Sequence, residues 1–83
     1  MNATVIMING EHGMAAAKLP DGDYVIIELL GEYDLEIGHN VSHPDFTVMG
    51  RNKYLNLTTG EIMDVYVQNL CATVKQAREQ CLF

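Results

Sequence analysis

The chain has 83 residues but contains no tryptophan, only two cysteines and only five basic residues against eleven acidic ones. Proteins that bind nucleic acid gain much of their affinity by neutralising phosphates with Lys and Arg. The formal net charge of −6 therefore argues against a strong nucleic-acid binder. An acidic surface also repels anionic membranes at long range. We expect neither class of partner to bind this protein tightly.

The two cysteines, Cys71 and Cys81, lie ten residues apart. This is neither the spacing of a C-x-x-C redox motif nor that of paired metal ligands. We predict free thiols, with a redox pair as the alternative.

Long apolar runs are also missing. No stretch approaches the roughly 18 apolar residues of a membrane span. The N-terminal segment has neither the basic region nor the small-residue cleavage site of a signal peptide. These features predict a cytoplasmic protein without a membrane partner.

The length predicts one small domain over residues 1–83, and the apolar content of 48% is that of a globular protein. A chain this short leaves no room for a deep enzyme cleft. No Ser–His–Asp or Cys–His arrangement stands out, and no Gly-rich loop opens a helix. We therefore expect a protein with no catalytic residues, no cofactor and no metal.

The first third of the chain is typical of β-strands joined by turns. Apolar segments at residues 3–8, 14–19 and 24–30 are separated by Asn-Gly at 9–10 and by Pro-Asp-Gly at 20–22. Both sequences favour tight turns, because Gly takes positive φ freely and Pro presets the φ of the second turn position. The last of these segments is rich in β-branched residues, which favours a strand.

The middle of the chain is less regular. In the segment 34–37, Leu35 and Ile37 alternate with acidic residues, which predicts a further strand with one apolar face. Residues 42–52 are interpreted as a loop that holds at most a short strand at 46–49. A closing hairpin is predicted over residues 54–67, with its turn at Thr-Thr-Gly-Glu.

The C-terminal segment changes to helical periodicity. Thr73 followed by Gln76 three residues later is a capping-box pattern, which predicts a short helix over about residues 73–82. Its simplest role is to cover one end or one edge of the sheet. The apolar residues at helical spacing are Val74, Ala77 and Cys81.

Together these elements predict an all-β protein, a small five-stranded OB-like barrel with a short C-terminal helix. An SH3-like barrel is the alternative, because it has a similar number of strands and turns.

The segment "TVIMINGEHGMAAA", residues 4–17, resembles the first two strands of the cold-shock domain, an OB-fold barrel that binds single-stranded nucleic acid. Thr4-Val5, Asn9, Glu11 and Gly13 fall where that family places a Thr-Val pair, Asn, an acidic residue and Gly. The segment "DLEIGHNV", residues 34–41, is more weakly similar, with His39 in the place of an Asp.

The resemblance implies a ligand-facing surface on these two strands, but its chemistry is changed. The family carries stacking rings and basic side chains there, and such rings stabilise bound bases by about 1–3 kcal/mol each. The possible ligand-facing residues in this chain are Ile6, Met7, Ile8, His12, Met14 and Ala16. An aliphatic surface of this kind suits a protein contact better than an RNA contact.

Two further groups are candidates for binding. Arg51 and Lys53 precede Tyr54, and together they form an alternative nucleic-acid patch, although a strand tyrosine also packs well inside a barrel. His39 and His43 are four residues apart, but Gly38 and Pro44 disfavour the helix that would bring them together on a metal.

We therefore predict a non-enzymatic binding module that contacts another protein or a second copy of itself. The alternative is a weak binder of single-stranded nucleic acid.

Overall fold

The computed structural model describes residues 1–82 and contains a mostly β structure with one helix. Its elements in chain order are β1 (Asn2–Asn9), β2 (Met14–Lys18), β3 (Tyr24–Leu29), β4 (Asn40–Ser42), β5 (Gly50–Asn56), β6 (Ile62–Cys71) and α1 (Val74–Leu82).

The strands form a closed barrel in the order β1-β2-β3-β6-β5-β4, with β4 returning to β1. Every pairing is antiparallel. The predicted barrel with a C-terminal helix is confirmed, but the strand count in residues 1–82 is six rather than five. The short strand β4 closes the barrel, because its three residues pair with β1 and two of them, Val41 and Ser42, also pair with β5.

The strand predicted at residues 34–37 is not formed. Leu35 is 9% exposed and reaches the core, whereas Ile37 is 66% exposed, so the two side chains do not share a face. Gly38 follows with a φ of +95°, and its N–H donates to the carbonyl of Val5. Extended pairing therefore starts only after this glycine, at β4. Residues 46–49 also form no strand.

The two predicted turns near the N-terminus are present. In the first, the positive φ falls on Gly13 (+64°) and not on Gly10 of the Asn-Gly pair, whereas in the second it falls on Gly22 (+94°) as expected. In the second turn the Asp21 carboxylate accepts a hydrogen bond from the N–H of Asp23 at 3.0 Å. These turns hold β1, β2 and β3 next to one another in the barrel wall.

A register irregularity in β1 decides which of its side chains face inward. Val5 lies opposite Ala17, but Met7 lies opposite Ala16, so Ile6 is an extra residue that interrupts the ladder. Val5 consequently packs inside the barrel, and Met7 packs on the outside, although strict alternation would place them on one face.

Helix α1 begins with the predicted cap. The N–H of Gln76 donates to the Thr73 hydroxyl oxygen at 3.2 Å, and the Gln76 side-chain oxygen accepts from the N–H of Ala72 at 3.1 Å. At the other end, the Asn9 amide donates to the carbonyl of Cys81. The first two bonds cap the helix within its own segment, and the third joins its C-terminal end to β1. No helix within residues 1–82 is long and apolar enough to cross a membrane.

Residues 1–82 form two apolar clusters. The first fills the barrel, where small side chains of β2 face large ones such as Phe46 and Tyr54. The second lies between α1 and the outer face of β1–β3. Its buried members are Met7, Ala16, Ile26, Cys71, Ala77 and Cys81.

Candidate interaction surface

Helix α1 covers the outer face of the first three strands. Met7, Ala16 and Ile26 lie side by side across β1, β2 and β3, in direct register. Ala16 is in the middle of this row and is fully buried. Because its side chain is small, the helix can approach the sheet closely at this point.

The ligand-facing surface predicted from the first two strands does not form one exposed patch. Met7 is 8% exposed and Ala16 is fully buried beneath α1, so a ligand would reach them only if the helix moved. Ile8 packs against the interior cluster. Ile6 and Met14 are half-buried beside the helix, and His12 is exposed in the β1–β2 turn. A ligand-binding role for these last three residues stays a prediction.

The other half of the barrel carries no helix, and its outer face is formed chiefly by the β5–β6 hairpin. Three cross-strand pairs point outward there. They form what we call the hairpin face, which consists of the pairs Leu55–Ile62, Lys53–Asp64 and Arg51–Tyr66.

The apolar pair of the hairpin face is unusually open to solvent for aliphatic side chains. Ile62 is 63% exposed and Leu55 is 38% exposed, and the two lie directly opposite each other. Leu57, just beyond the end of β5, is 47% exposed. Adjacent exposed aliphatic side chains of this kind mark contact surfaces more often than isolated ones do.

The hairpin face carries one ion pair and one further cation, Arg51. The Lys53 ammonium lies 2.7 Å from an oxygen of the Asp64 carboxylate. This hydrogen bond and charge hold the pKa of Asp64 below its usual value, and Arg51 lowers it further through its own charge. Both partners are open to solvent, which screens their attraction, so the pair contributes little to stability.

The three residues of the alternative nucleic-acid patch do not lie on the same side of the barrel wall. Arg51 and Lys53 point outward, but Tyr54 points inward and is fully buried. The exposed ring near these basic residues is instead Tyr66, which lies opposite Arg51 and is 42% exposed. Strand alternation could have revealed this, because residues 51 and 53 share a face that residue 54 cannot share.

His39 belongs to a hydrogen-bond network. Its Nδ1 accepts from the backbone N–H of Glu36 at 3.3 Å and lies 3.1 Å from the amide nitrogen of buried Asn56. The Asn56 oxygen accepts from the N–H groups of Thr58 and Thr59. His39 therefore joins the loop before β4 to the turn between β5 and β6.

Replacing His39 by alanine is expected to destabilise the protein by about 1–3 kcal/mol, because the buried Asn56 amide would lose its partner. For a domain of this size that corresponds to a fall in melting temperature of about 4 °C or more. His12→Ala, in an exposed turn, is the matched control and should leave the temperature unchanged. Equal melting temperatures for the two variants would show that the network is not stabilising.

His43 lies in a different environment. Its ring is 5.2 Å from that of Tyr54 and 6.0 Å from that of Phe46, and its Nδ1 accepts from the N–H of Asp45. The Nδ1 atoms of His39 and His43 are thus both engaged by backbone N–H groups. Within residues 1–82, no three His, Cys, Asp or Glu side chains are grouped so as to hold a metal ion.

Both cysteines are free thiols, and both are buried in the cluster between the helix and the barrel, Cys81 on α1 and Cys71 at the end of β6. Burial raises the pKa of each thiol, which disfavours the reactive thiolate. Their role in the structure is to fill space between the helix and the barrel.

Comparisons of this chain with models of known protein families, with curated proteins and with solved structures find no match. The case for a function therefore rests on the geometry of the chain itself.

Proposed function

We propose that this protein is a non-enzymatic interaction module that binds a protein partner through the hairpin face. The single observation that carries the proposal is the exposed cross-strand pair Leu55–Ile62, with Leu57 beside it, on the half of the barrel that α1 leaves uncovered. Burying such side chains in a contact stabilises it by about 25 cal/mol for each Å² of apolar surface removed from water.

The surrounding residues support a protein contact. Protein interfaces combine apolar side chains with polar and charged groups, and Tyr and Arg are enriched in them. Tyr66 and Arg51 supply both residue types on the hairpin face. In this proposal the barrel is a cold-shock-like fold that acts in the cytoplasm and uses a different surface from the one its first two strands would suggest.

Single-stranded nucleic acid is the alternative ligand, and the adjacency of Arg51 and exposed Tyr66 favours it. Two features weigh against it. Lys53 is already paired with Asp64, and Tyr54, the ring expected to stack, is buried. The net charge of −6 adds repulsion of phosphates at long range.

The substitution Ile62→Asp tests the proposal, because it places a charge at the most exposed aliphatic side chain of the hairpin face. Immobilised protein is incubated with a lysate, and the bound proteins, copies of this chain included, are quantified by mass spectrometry. We expect Ile62→Asp to reduce specific capture by about tenfold or more, since one buried aliphatic side chain contributes about 1.5–3 kcal/mol.

The control is Ile37→Asp, which alters an equally exposed aliphatic residue in the loop before β4. Capture that is lost equally in both variants, or in neither, would contradict a site on the hairpin face. Binding of oligo-dT tighter than about 100 μM, abolished by Arg51→Ala, would favour the nucleic-acid alternative.

A further inference from the structure

The hairpin face has a property that a surface for an arbitrary partner does not need: each of its cross-strand pairs joins two complementary groups. Leu55 and Ile62 are both apolar. Lys53 faces Asp64 as cation and anion, at 2.7 Å. Arg51 faces Tyr66 as cation and aromatic ring, a combination that attracts when the two stack.

This arrangement makes the hairpin face complementary to itself under a two-fold rotation. The rotation axis runs parallel to β5 and β6. It lies above the midline between these two strands, in the plane where the two copies touch. Rotation about it brings a second copy face to face and places β5 of one copy over β6 of the other. A side chain of one copy then meets, in the second copy, the residue type that lies opposite it across the hairpin, and the reciprocal contact forms because the interface is isologous.

Three kinds of contact follow from that superposition. Leu55 meets Ile62 of the second copy, and Lys53 meets its Asp64. Arg51 meets Tyr66 of the second copy, close to Glu28, which lies opposite Tyr66 on β3. No like charges of these residues are brought together, and every contact occurs twice because of the symmetry.

We propose that the partner of the hairpin face is a second copy of this chain, packed face to face about this two-fold axis. The inference rests on the proposed function, since it names the occupant of the same surface. It assigns the apolar end of the contact to Leu55 and Ile62, and the middle of the contact and its specificity to the Lys53–Asp64 pairs.

The size of the surface sets the expected strength. The molecule measures 29 × 28 × 23 Å, and the outer wall of a small barrel is convex, so only the hairpin and its immediate neighbours can touch. Such a contact falls below the roughly 1,200 Å² of a standard stable interface. We expect a transient dimer with a dissociation constant of about 0.1–1 mM.

The test exploits the exchange of Lys53 and Asp64 between copies. The single variants Lys53→Glu and Asp64→Lys each place like charges opposite each other in a homodimer, so each should dimerise about tenfold more weakly or worse. Mixed together, the two variants should form a heterodimer, because the acidic face of one then meets the basic face of the other. The chain that carries both substitutions should dimerise like the unmodified protein.

Association is measured by sedimentation equilibrium and by the concentration dependence of amide chemical shifts, at about 0.15 M salt, where the Debye length of about 8 Å screens the repulsion between net charges. Each single variant also places like charges opposite each other across β5 and β6 of one copy, so its melting temperature should fall slightly, whereas the chain with both substitutions should melt like the unmodified protein.

The outcomes separate the inference from the proposed function. An unmodified protein that stays monomeric at about 1 mM, or variants that fail to restore association when mixed, would overturn the two-fold arrangement. If capture of a different protein still depends on Ile62, the interaction module stands and only the self-association fails. If neither capture nor dimerisation depends on Ile62, both proposals fail.

Discussion

The substitution Ala77→Asp is expected to destabilise this protein by at least about 3 kcal/mol and to lower its melting temperature by more than about 10 °C. Ala77 is fully buried where α1 meets the barrel, among Met7, Ile26 and Cys81. An ionised carboxylate without a partner is very costly to bury, so the helix is expected to leave the sheet instead.

The size of this destabilisation follows from the apolar side chains that become exposed when the helix leaves the sheet. Met7 and Ile26 are the largest side chains beneath it, and each contributes about 1.5–3 kcal/mol when moved from water to the interior. The hydrogen bond from the Asn9 amide to the carbonyl of Cys81 is lost as well. Small domains have only about 5–15 kcal/mol of stability in total, so this single change removes a large part of it.

The matched control is Arg78→Asp, one position along the same helix but exposed. Thermal unfolding followed by circular dichroism compares the two variants, and binding of an apolar dye reports whether the Met7–Ala16–Ile26 row becomes accessible. A melting temperature for Ala77→Asp within about 2 °C of the control would show that α1 is not part of the folded core.

Local signals in the sequence predicted the turns and the helix correctly because their causes are local. Gly13 and Gly22 supply positive φ within a few residues of chain, and Thr73 with Gln76 satisfies the first N–H groups of the helix. An apolar stripe on a helix shows that it packs against something, but not which face of the sheet it covers. The face that α1 covers is decided by the row Met7–Ala16–Ile26, where the small side chain of Ala16 lets the helix approach. This row exists only once three strands are in register.

The errors in predicting which side chains face outward each amount to one residue along a strand: one is an extra residue in β1, and the other concerns alternation along β5. The irregularity at Ile6 moves Met7 to the outer face, against strict alternation from Val5. No residue type near position 6 marks it, since no glycine or proline is present there. The patch of Arg51, Lys53 and Tyr54 rests on their proximity in the chain. Because side chains alternate along a strand, Tyr54 points to the opposite face from Arg51 and Lys53.

Removing only the hydroxyl of Tyr54 is expected to stabilise the protein, whereas removing the ring is expected to destabilise it strongly. Tyr54 is fully buried, and its ring stands edge-on to Phe46, with centroids 5.3 Å apart and planes 88° apart. Its hydroxyl has no hydrogen-bond partner among the described residues. A buried polar group without a partner costs about 1–3 kcal/mol in general.

Tyr54→Phe keeps the edge-to-face contact and removes the unpartnered group, so we expect a gain of about 1 kcal/mol after the small void left by the oxygen is allowed for. Tyr54→Ala removes the ring contacts with Phe46 and His43 and leaves a large cavity, so we expect a loss of about 3–5 kcal/mol. Both free energies of unfolding can be measured by urea titration.

The pH dependence of stability provides an independent measurement on the same side chain. Burial raises the pKa of the Tyr54 phenol well above its ordinary value, because the charged form is poorly solvated in the barrel. The unfolded chain therefore loses this proton first, at about pH 10, while the folded protein still holds it. Below that pH this proton is bound in both states, and the contribution of Tyr54 to the free energy of unfolding is fully present. Above it, ionisation stabilises only the unfolded chain, so the free energy of unfolding falls by up to about 1.4 kcal/mol for each pH unit.

Tyr54→Phe has no such proton, so its stability should fall less steeply above about pH 10 than that of the unmodified protein. The advantage of the variant should accordingly grow with pH. Tyr66→Phe, at an exposed tyrosine of the hairpin face, is the control for the general effect of losing a phenol. The opposite result would be a Tyr54→Phe variant that is less stable than the unmodified protein at neutral pH and loses stability in parallel with it in alkali. The Tyr54 hydroxyl would then be stabilised in the folded state, and the barrel interior would not be the apolar environment that its neighbours indicate.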